Sequence, residues 1–260
     1  KPNLLTELLT GFIMKRFGLI GFPLGHSFSR GYFNEKFQRL GLNDHKYDLF
    51  EIEYLKDFPS LWERYPDLVG VNVTVPHKEN IRRFLDRLDS SAHKVEAVNV
   101  IKKEGTKLVG YNSDFYGFKQ SLVNYFQGEI KVKKALILGG GGASKAVEAA
   151  FLDLGIKYMV VSRQRAKGDL VYAELKEDPS YIEKVDMIVN TTPLGMHPNL
   201  ETKPDIPYDA IHAEQYIYDL VYNPEETAFM KEGRMRGART KNGLEMLYLQ
   251  ADRAWEIWNG

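Results

Sequence analysis

Apolar residues along the chain alternate between short β-branched runs and stripes at helical spacing. Short runs bounded by glycine, proline or polar residues are typical of strands, and apolar residues three or four apart are typical of helices. In the first half this pattern predicts helices over 32–40, 58–65 and 81–88, and strands over 17–21, 47–52, 69–75, 98–102 and 107–111. The last two strands flank Lys103-Glu-Gly-Thr106, which predicts an antiparallel hairpin.

The second half opens on an apolar stripe from Phe115 to Phe126 that predicts a bridging helix. A strand over 133–139, a helix over 147–154 and a strand over 158–161 follow, and together they make a βαβ unit. Further strands are predicted over 187–190 and 216–220, and an amphipathic helix over 244–258 ends the chain. Strands that alternate with helices in this way predict an α/β fold with mostly parallel sheets.

The composition narrows the class of protein. Apolar residues make up 43% and charged residues 27% of the 260 residues, and Lys plus Arg equal Asp plus Glu at 35 each. A formal charge of zero gives no general attraction to nucleic acid or to a membrane, so neither is expected as a partner. The absence of cysteine excludes disulfides and thiolate chemistry and fits a cytoplasmic protein. No apolar run is long enough to span a membrane, and residues 1–13 are expected to be an extension before a natural start at Met14.

A glycine run follows the first strand of the βαβ unit, and its residues are Gly139, Gly140, Gly141, Gly142 and Ala143. Glycine allows the tight turn from strand to helix and lets a pyrophosphate approach the backbone at the positive end of the helix. A glycine run alone also fits a plain flexible turn. A strand, a helix and a second strand in this order favour a dinucleotide site.

The end of the next strand indicates which dinucleotide binds. NAD-binding units carry a carboxylate about 20 residues further on, which holds the ribose hydroxyls. Here the predicted strand ends at Val161, and Ser162, Arg163, Arg165 and Lys167 come before the first carboxylate, Asp169. A planar guanidinium suits bidentate contact with a 2′-phosphate, so we expect NADP(H) rather than NAD(H). The alternative is a solvated basic loop.

Polar residues also stand at predicted strand ends in the first half. Helix capping, a turn position or the solvent face of a strand would explain each of them alone: Ser29, Asn72, Thr74, Asn99 and Asp114. Lys78 is less easily explained, because it follows Pro76 at a point where a helix is expected to begin. A cation there opposes the helix dipole, which suits a lysine that transfers a proton.

Taken together, these segments resemble the shikimate dehydrogenase family over nearly the whole chain from about Arg16. The most specific segment is Asn72-Val-Thr-Val-Pro-His-Lys78. The others occur in the family's order: Ser27-Phe-Ser29, Ala97-Val-Asn99, Asn112-Ser-Asp114, the glycine run, Asn190-Thr-Thr-Pro-Leu-Gly195, Tyr218-Asp-Leu-Val-Tyr-Asn-Pro224 and Asn242-Gly-Leu-Glu-Met-Leu-Tyr-Leu-Gln-Ala251. Ser162-Arg-Gln164 departs from the family's Asn-Arg-Thr but keeps Arg163, and Ser113 stands where threonine is frequent.

The resemblance implies reversible NADPH-dependent reduction of 3-dehydroshikimate to shikimate, in aromatic amino acid (chorismate) biosynthesis. It implies that Lys78 and Asp114 form the catalytic pair. The other residues expected at the substrate are Ser27 and Ser29 on its carboxylate, and Thr74, Asn99, Tyr222 and Gln250. The residues expected near the nicotinamide are Thr191, Thr192 and Gly243. Residues 1–113 plus 241–260 would form the substrate domain and residues 114–240 a Rossmann-type NADP-binding domain, in a monomer or homodimer.

Two other functions share these features. A quinate/shikimate dehydrogenase with broader substrate or NAD use would differ in its rates with shikimate and quinate. A non-catalytic dinucleotide sensor would bind NADPH without turnover, and intact Lys78 and Asp114 count against it. A metal site is not expected, because cysteine is absent and no two of the six histidines are spaced to share a helix face.

Overall fold

The computed structural model describes residues 14–25 and 27–260, so the predicted extension and His26 lie outside the described residues. The chain divides into two compact units, which confirms the predicted two-domain α/β class. Unit 1 runs up to Asn112 and includes Ala254–Gly260, and unit 2 is Ser113–Arg253. Residues 241–253, which the prediction groups with the first domain, therefore cluster with unit 2.

Unit 1 contains a mixed six-stranded sheet. Its strands are β1 (Lys15–Gly21), β2 (His45–Glu51), β3 (Leu68–Val73), β4 (Arg87–Leu88), β5 (Val100–Glu104) and β6 (Lys107–Tyr111). Its helices are α1 (Phe28–Arg39), α2 (Phe58–Arg64) and α3 (Ser90–Val95), with 3-10 helices over Leu55–Asp57 and Asn80–Phe84. The strand order is β2-β1-β3-β5-β6-β4, in which β1 is parallel to β2 and β3, and β5 is antiparallel to β3 and β6.

The helix predicted over 81–88 is wrong. The segment forms the 3-10 helix Asn80–Phe84 and then the short strand β4. The backbone N–H groups of Asp86 and Asp89 donate to the carbonyls of Leu108 and Gly110, at 3.0 and 2.8 Å. Because these donors pair with β6, they are not available to a helix. The apolar spacing correctly marked residues that pack on the core, of which Ile81 is buried and the others partly buried, but it did not predict their backbone conformation.

Unit 2 contains a parallel six-stranded sheet. Its strands are β7 (Lys134–Leu138), β8 (Lys157–Ser162), β9 (Leu170–Val171), β10 (Met187–Asn190), β11 (Tyr216–Asp219) and β12 (Arg239–Lys241). Its helices are α4 (Ser113–Tyr125), α5 (Gly142–Asp153), α6 (Tyr172–Glu177), α7 (Ser180–Glu183), α8 (Ala228–Met235) and α9 (Leu244–Asn259), and α9 ends among residues of unit 1. The strand order β9-β8-β7-β10-β11-β12 is that of the Rossmann fold, counted 3-2-1-4-5-6 within the unit.

Both faces of this parallel sheet are buried, which explains why its strands read as continuous apolar runs. Alternate residues of β7 point to opposite faces. Ala135 and Ile137 pack in one core cluster, and Leu136 and Leu138 pack in the other. The strand order reverses between β7 and β10, and ligands of such sheets bind at the carboxyl ends of the strands on either side of this point.

Candidate functional site

The glycine loop follows β7 at the point where the strand order reverses. Gly139 has φ +114, and its N–H donates to the carbonyl of Val161 at 2.8 Å. Gly141 caps α5, which begins at Gly142 and has 12 residues. Among the described residues, apart from Gly141 and its chain neighbours, no atom lies within 4 Å of the position that a Cβ on Gly141 would take. The loop therefore leaves room at the positive end of a helix, and this cradle fits a pyrophosphate.

Gly140 is required by packing inside the unit rather than by φ. A Cβ at this position would lie 2.2 Å from the backbone oxygen of Lys167 and 3.1 Å from the Ser162 hydroxyl. The absence of a side chain thus lets the turn after β8 lie directly against the glycine loop. The structure brings together the two segments that the sequence analysis assigned to the cofactor.

The three cations of the basic turn after β8 differ in whether their side chains already have partners. Arg165 is also exposed, but it donates to the carbonyl of Asp169 at 2.5 Å and pairs with Glu174, so its guanidinium is already engaged by the turn. Arg163 and Lys167 are exposed, and their side chains make no hydrogen bond or ion pair with the described residues. Of the predicted phosphate ligands, these two are the ones open to an anion. Ser162 is buried, and its hydroxyl accepts from the N–H of Gln164 at 3.3 Å.

The loop after β10 lies against the glycine loop. The Thr191 hydroxyl donates to the carbonyl of Leu138 at 2.9 Å, and Thr191 and Thr192 occupy the space beside Gly139. Asn190 is fully buried, and its Oδ1 accepts from the N–H and the hydroxyl of Thr192 at 3.0 and 2.7 Å. The two threonines predicted near the nicotinamide are therefore held at the reversal point of the sheet.

The loop after β11 begins at a buried carboxylate, Asp219, to which the sequence analysis gave no role. Asn190 Nδ2 and the N–H of Val221 donate to its Oδ1 at 2.9 and 3.0 Å, and the Thr227 hydroxyl donates to its Oδ2 at 2.6 Å. Burial raises the pKa of Asp219 to about 6, and the three hydrogen bonds partly oppose that rise. A carboxylate at the end of an otherwise apolar strand is the sequence signal that could have identified it.

Tyr222 and Gly243 lie near each other along this edge. A Cβ on Gly243 would lie 2.1 Å from the carbonyl oxygen of Leu220, and the Gly243 N–H donates to the carbonyl of Val221 at 3.2 Å. The start of α9 is therefore held against the loop that carries Tyr222. Tyr222 is half-buried, and burial raises the pKa of its phenol.

Asp114 and Gln250 are brought to the same end of α4. Asp114 lies in the first turn of this helix and is 9% exposed. The Ser113 hydroxyl donates to Gln250 Oε1 at 3.4 Å. At Gly117 a Cβ would lie 2.8 Å from the carbonyl oxygen of Met246, so α4 and α9 pack in close contact. This contact fixes Gln250 relative to the helix start.

In unit 1, Lys78 lies in the turn that follows β3. The N–H of Val98 donates to the Lys78 carbonyl at 2.8 Å, and the N–H of Thr74 donates to the Ile20 carbonyl at 2.8 Å. The ring of the buried His77 makes a hydrogen bond of 2.5 Å with the carbonyl of Ile52. The backbone around the half-buried Lys78 is therefore tied to its neighbours on three sides.

The helix predicted to begin near Lys78 starts later and is short. It is the five-residue 3-10 helix Asn80–Phe84, which follows Glu79. The argument from an opposing helix dipole therefore does not apply to Lys78. Its placement at the carboxyl end of a buried strand is the feature that the structure supports.

A chain of buried polar groups links three of the polar segments of unit 1. The Tyr47 hydroxyl donates to Asn72 Oδ1 at 2.8 Å, and Asn72 Nδ2 donates to the carbonyl of Asn99 at 3.2 Å. The Ser29 hydroxyl also makes a hydrogen bond with Tyr47, and burial raises the pKa of this phenol despite that bond. The alternative that Asn72 faces solvent is therefore wrong.

The two serines lie at the start of α1. Ser27 is the N-cap residue, but its side chain makes no cap hydrogen bond, and Ser29 lies in the first turn rather than at the cap. The capping explanation for Ser29 is therefore wrong. Both residues are partly buried, as residues that hold a small ligand would be.

Two kinds of feature are absent from the described residues. Across residues 14–25 and 27–260, no helix combines the length and apolarity that crossing a membrane requires. The same residues contain no group of three or more His, Cys, Asp or Glu side chains placed to hold a metal ion.

Comparison with known proteins identifies similar chains. A family model described as the shikimate dehydrogenase substrate binding domain matches residues 19–101. A protein of Methanococcus maripaludis named shikimate dehydrogenase (NADP(+)) is 39% identical over 260 residues, which cover 95% of this chain and 92% of that protein. A protein of the same name from Halothermothrix orenii is 38% identical over 265 residues, covering 94% and 90%.

Solved structures give the same relationship. The crystal structure of shikimate dehydrogenase from Aquifex aeolicus has a TM-score of 0.82 at 35% identity, covering 95% of this chain and 93% of that chain. The shikimate 5-dehydrogenase of Thermus thermophilus, solved in complex with NADP(H) and shikimate, has a TM-score of 0.82 at 29% identity, covering 95% and 94%.

Proposed function

The chain belongs to the shikimate dehydrogenase family, and we propose on this basis that it catalyses the reversible NADPH-dependent reduction of 3-dehydroshikimate to shikimate. The observation that carries the proposal is similarity over nearly the whole chain to enzymes of that name. The reaction would serve aromatic amino acid biosynthesis in the cytoplasm, with the protein acting as a monomer or homodimer. Its partner is a small-molecule substrate.

The residues of unit 2 fit the cofactor. Bound NADPH supplies the hydride. The protein therefore has to orient the cofactor and the substrate, exclude water and move one proton. The cradle beside Gly141 would hold the pyrophosphate, and Thr191 and Thr192 would contact the nicotinamide end. Gly243 would contribute backbone to the same end, because its close approach to Leu220 places the start of α9 at this edge.

Arg163 is the residue we assign to the 2′-phosphate of the cofactor, with Lys167 beside it. Both are exposed, whereas Arg165 is bonded to Asp169 and Glu174 and would hold the turn in shape. We expect Arg163→Ala to raise the KM for NADP+ at least tenfold and leave the KM for NAD+ within about threefold, since loss of a charge-assisted bond costs about 1.5–3 kcal/mol. An unchanged KM for NADP+ would contradict the assignment.

Lys78 is the residue we assign to proton transfer. Its ammonium group would give a proton to the alkoxide formed on reduction, or accept one in the reverse direction. Asp114, from the first turn of α4, is the second catalytic residue implied by the family. Removal of a general acid or base lowers turnover by about 10²–10⁴-fold. We therefore expect Lys78→Ala to lower kcat by at least 100-fold with NADPH affinity within about threefold.

The remaining polar residues would position the substrate. Ser27 and Ser29 would hold its carboxylate with hydroxyl groups, which bind an anion without adding a second charge. Thr74, Asn99 and Gln250 would bind its ring hydroxyls, and Tyr222 would line its pocket. Each assignment follows from the family resemblance; Gln250 lies within α9, and the other residues lie near a strand or helix end.

A matrix of rates tests the function. Shikimate and quinate are each offered with NADP+ and with NAD+, and initial rates are compared at matched concentrations. We expect shikimate with NADP+ to be the fastest combination. Comparable rates with quinate would indicate a quinate/shikimate dehydrogenase. NADPH binding without turnover of either substrate would indicate a sensor and would refute the enzymatic proposal.

A further inference from the structure

The buried carboxylate of Asp219 joins three segments that are separate in the chain. It is fully buried at the end of β11, and its donors come from the residues at 190, 221 and 227. A buried carboxylate costs several kcal/mol unless it is well bonded, so an apolar residue would serve a purely packing role better. The hydrogen bonds of the Asp219 carboxylate therefore indicate its role.

The first segment is the loop after β10. Asn190 Nδ2 donates to Asp219, which turns Asn190 Oδ1 toward the N–H and the hydroxyl of Thr192. The Thr192 hydroxyl in turn accepts from the N–H of Leu194 at 3.3 Å. The conformation of this loop therefore depends on the orientation of the Asn190 side-chain amide. Asp219 sets that orientation, because a carboxylate only accepts hydrogen bonds and can pair with the NH₂ group of Asn190 but not with its Oδ1.

The second segment is the loop after β11. The N–H of Val221 donates to the same oxygen of Asp219 that Asn190 uses. The carbonyl of Val221 accepts from the N–H of Gly243, so this loop also carries the start of α9. One carboxylate oxygen thus connects the loop after β10, which borders the reversal point of the sheet, with the loop after the neighbouring strand β11.

The third segment is the start of α8. The Thr227 hydroxyl donates to the other Asp219 oxygen and accepts from the N–H of Met230 at 3.2 Å, as an N-cap does. Gly195 of the loop after β10 packs against Thr227, because a Cβ added to Gly195 would lie 3.3 Å from Thr227 Cβ. The third bond therefore satisfies the carboxylate oxygen that neither loop uses, and the contact with Gly195 is made by carbon atoms of Thr227 rather than by its hydroxyl.

We propose that Asp219 is a positioning residue for hydride transfer, which holds the loop after β10 and the loop after β11 in a single arrangement through Asn190 and Val221. The inference rests on the proposed function, since that function places Thr191, Thr192 and Gly243 at the nicotinamide. Asp219 touches neither cofactor nor substrate in this assignment. Its effect follows from geometry, because a misplacement of about 1 Å can lower a rate about 100-fold.

Three variants separate the branches of this network. Asp219→Ala removes all three bonds, Asn190→Ala removes only the branch to Thr192, and Thr227→Val removes only the branch to α8 at nearly constant volume. Four measurements are made on each full-length variant: kcat for shikimate oxidation, the KM for NADP+, the Kd for 2′,5′-ADP and hydrogen exchange at single amides. 2′,5′-ADP lacks the nicotinamide, so its binding reports the glycine loop and the basic turn alone.

We expect kcat to fall at least tenfold in Asp219→Ala and Asn190→Ala and to stay within threefold in Thr227→Val. The Kd for 2′,5′-ADP should stay within twofold in all three variants. Amide exchange should accelerate at Thr192, Leu194 and Val221 in Asp219→Ala. Acceleration should be confined to Thr192 and Leu194 in Asn190→Ala, and to Met230 in Thr227→Val.

Wild-type turnover in both Asp219→Ala and Asn190→Ala would overturn the proposal, as would loss of 2′,5′-ADP affinity in proportion to kcat. If Asp219→Ala does not fold, Asn190→Ala decides alone. If the wild-type protein oxidises no shikimate, the proposed function fails, and the exchange pattern still decides whether Asp219 holds the two loops. Exchange that accelerates uniformly across unit 2 would overturn the proposal in that case.

Discussion

Substitution of Gly140 tests the contact between the glycine loop and the basic turn. In Gly140→Ala the new Cβ would lie 2.2 Å from the Lys167 backbone oxygen, and real Cβ atoms essentially never come within 3.0 Å of another heavy atom. The neighbour is backbone rather than a flexible side-chain end, so one of the two segments has to move by about 1 Å, which is overpacking of a dense region. The segment that moves carries either the cradle or the cations.

The magnitude follows from the cost of overpacking, about 1–3 kcal/mol, which lowers the folding equilibrium constant about 5- to 150-fold. Gly141→Ala is the matched control one residue away. Its Cβ would meet no described residue within 4 Å apart from its chain neighbours, and its φ of −107 is accessible to alanine. We expect the control to change the free energy of unfolding by less than about 1 kcal/mol, because alanine restricts the unfolded chain but is a poorer N-cap residue than glycine.

Both variants are compared without cofactor, since Gly141 lies in the proposed cradle. The three tryptophans, Trp62, Trp255 and Trp258, all lie in unit 1 and do not report on this loop. Native-state hydrogen exchange of the β7 and β8 amides measures the unfolding of unit 2 directly. Equal protection in Gly140→Ala and Gly141→Ala would refute the packing argument. With cofactor added, we expect Gly140→Ala to lose NADPH affinity in proportion to its lost protection.

Two further predictions concern buried polar groups. Tyr47→Phe leaves Asn72 Oδ1 buried without its donor, so we expect the free energy of unfolding to fall by about 1–3 kcal/mol. Tryptophan fluorescence in denaturant measures this change. An unchanged midpoint of unfolding would show that the bond does not contribute to stability. The pKa of Asp219 is raised to about 6 from 3.8 in the unfolded chain, so the folded state holds the proton more tightly. The unfolding free energy from this group is therefore largest below about pH 4 and falls by roughly 3 kcal/mol in total as the pH rises past 6, a slope that Asp219→Asn should abolish.

The elements that local patterns define were predictable, and those that depend on distant partners were not. The βαβ unit around the glycine loop was predicted because its strand, turn and helix signals lie within about 30 residues. The strands β9 and β12 have two and three residues, which is too short for any periodicity to show. The segment around Leu85 was misread because β6, more than twenty residues later, takes its backbone donors.

The candidate site divides in the same way. Local motifs identified the residues expected to touch cofactor and substrate, because motifs record residue type at a fixed spacing. They did not identify Tyr47, whose role in the polar chain depends on Asn72, 25 residues later. They also did not separate Arg165 from Arg163, because only the folded turn brings Glu174 to one of them.

The register of unit 2 explains why Asp219 was missed. Asn190 and Asp219 are paired residues at the ends of β10 and β11, and their side chains meet only because the two strands are in this register. A slip of one residue would turn every side chain of one strand to the opposite face. It would also leave a buried carboxylate opposite an apolar residue, at a cost of several kcal/mol. The sheet is apolar on both faces, so hydrophobic burial alone discriminates weakly between registers. The Asn190–Asp219 pair therefore supplies specificity for the register that aligns the two loops.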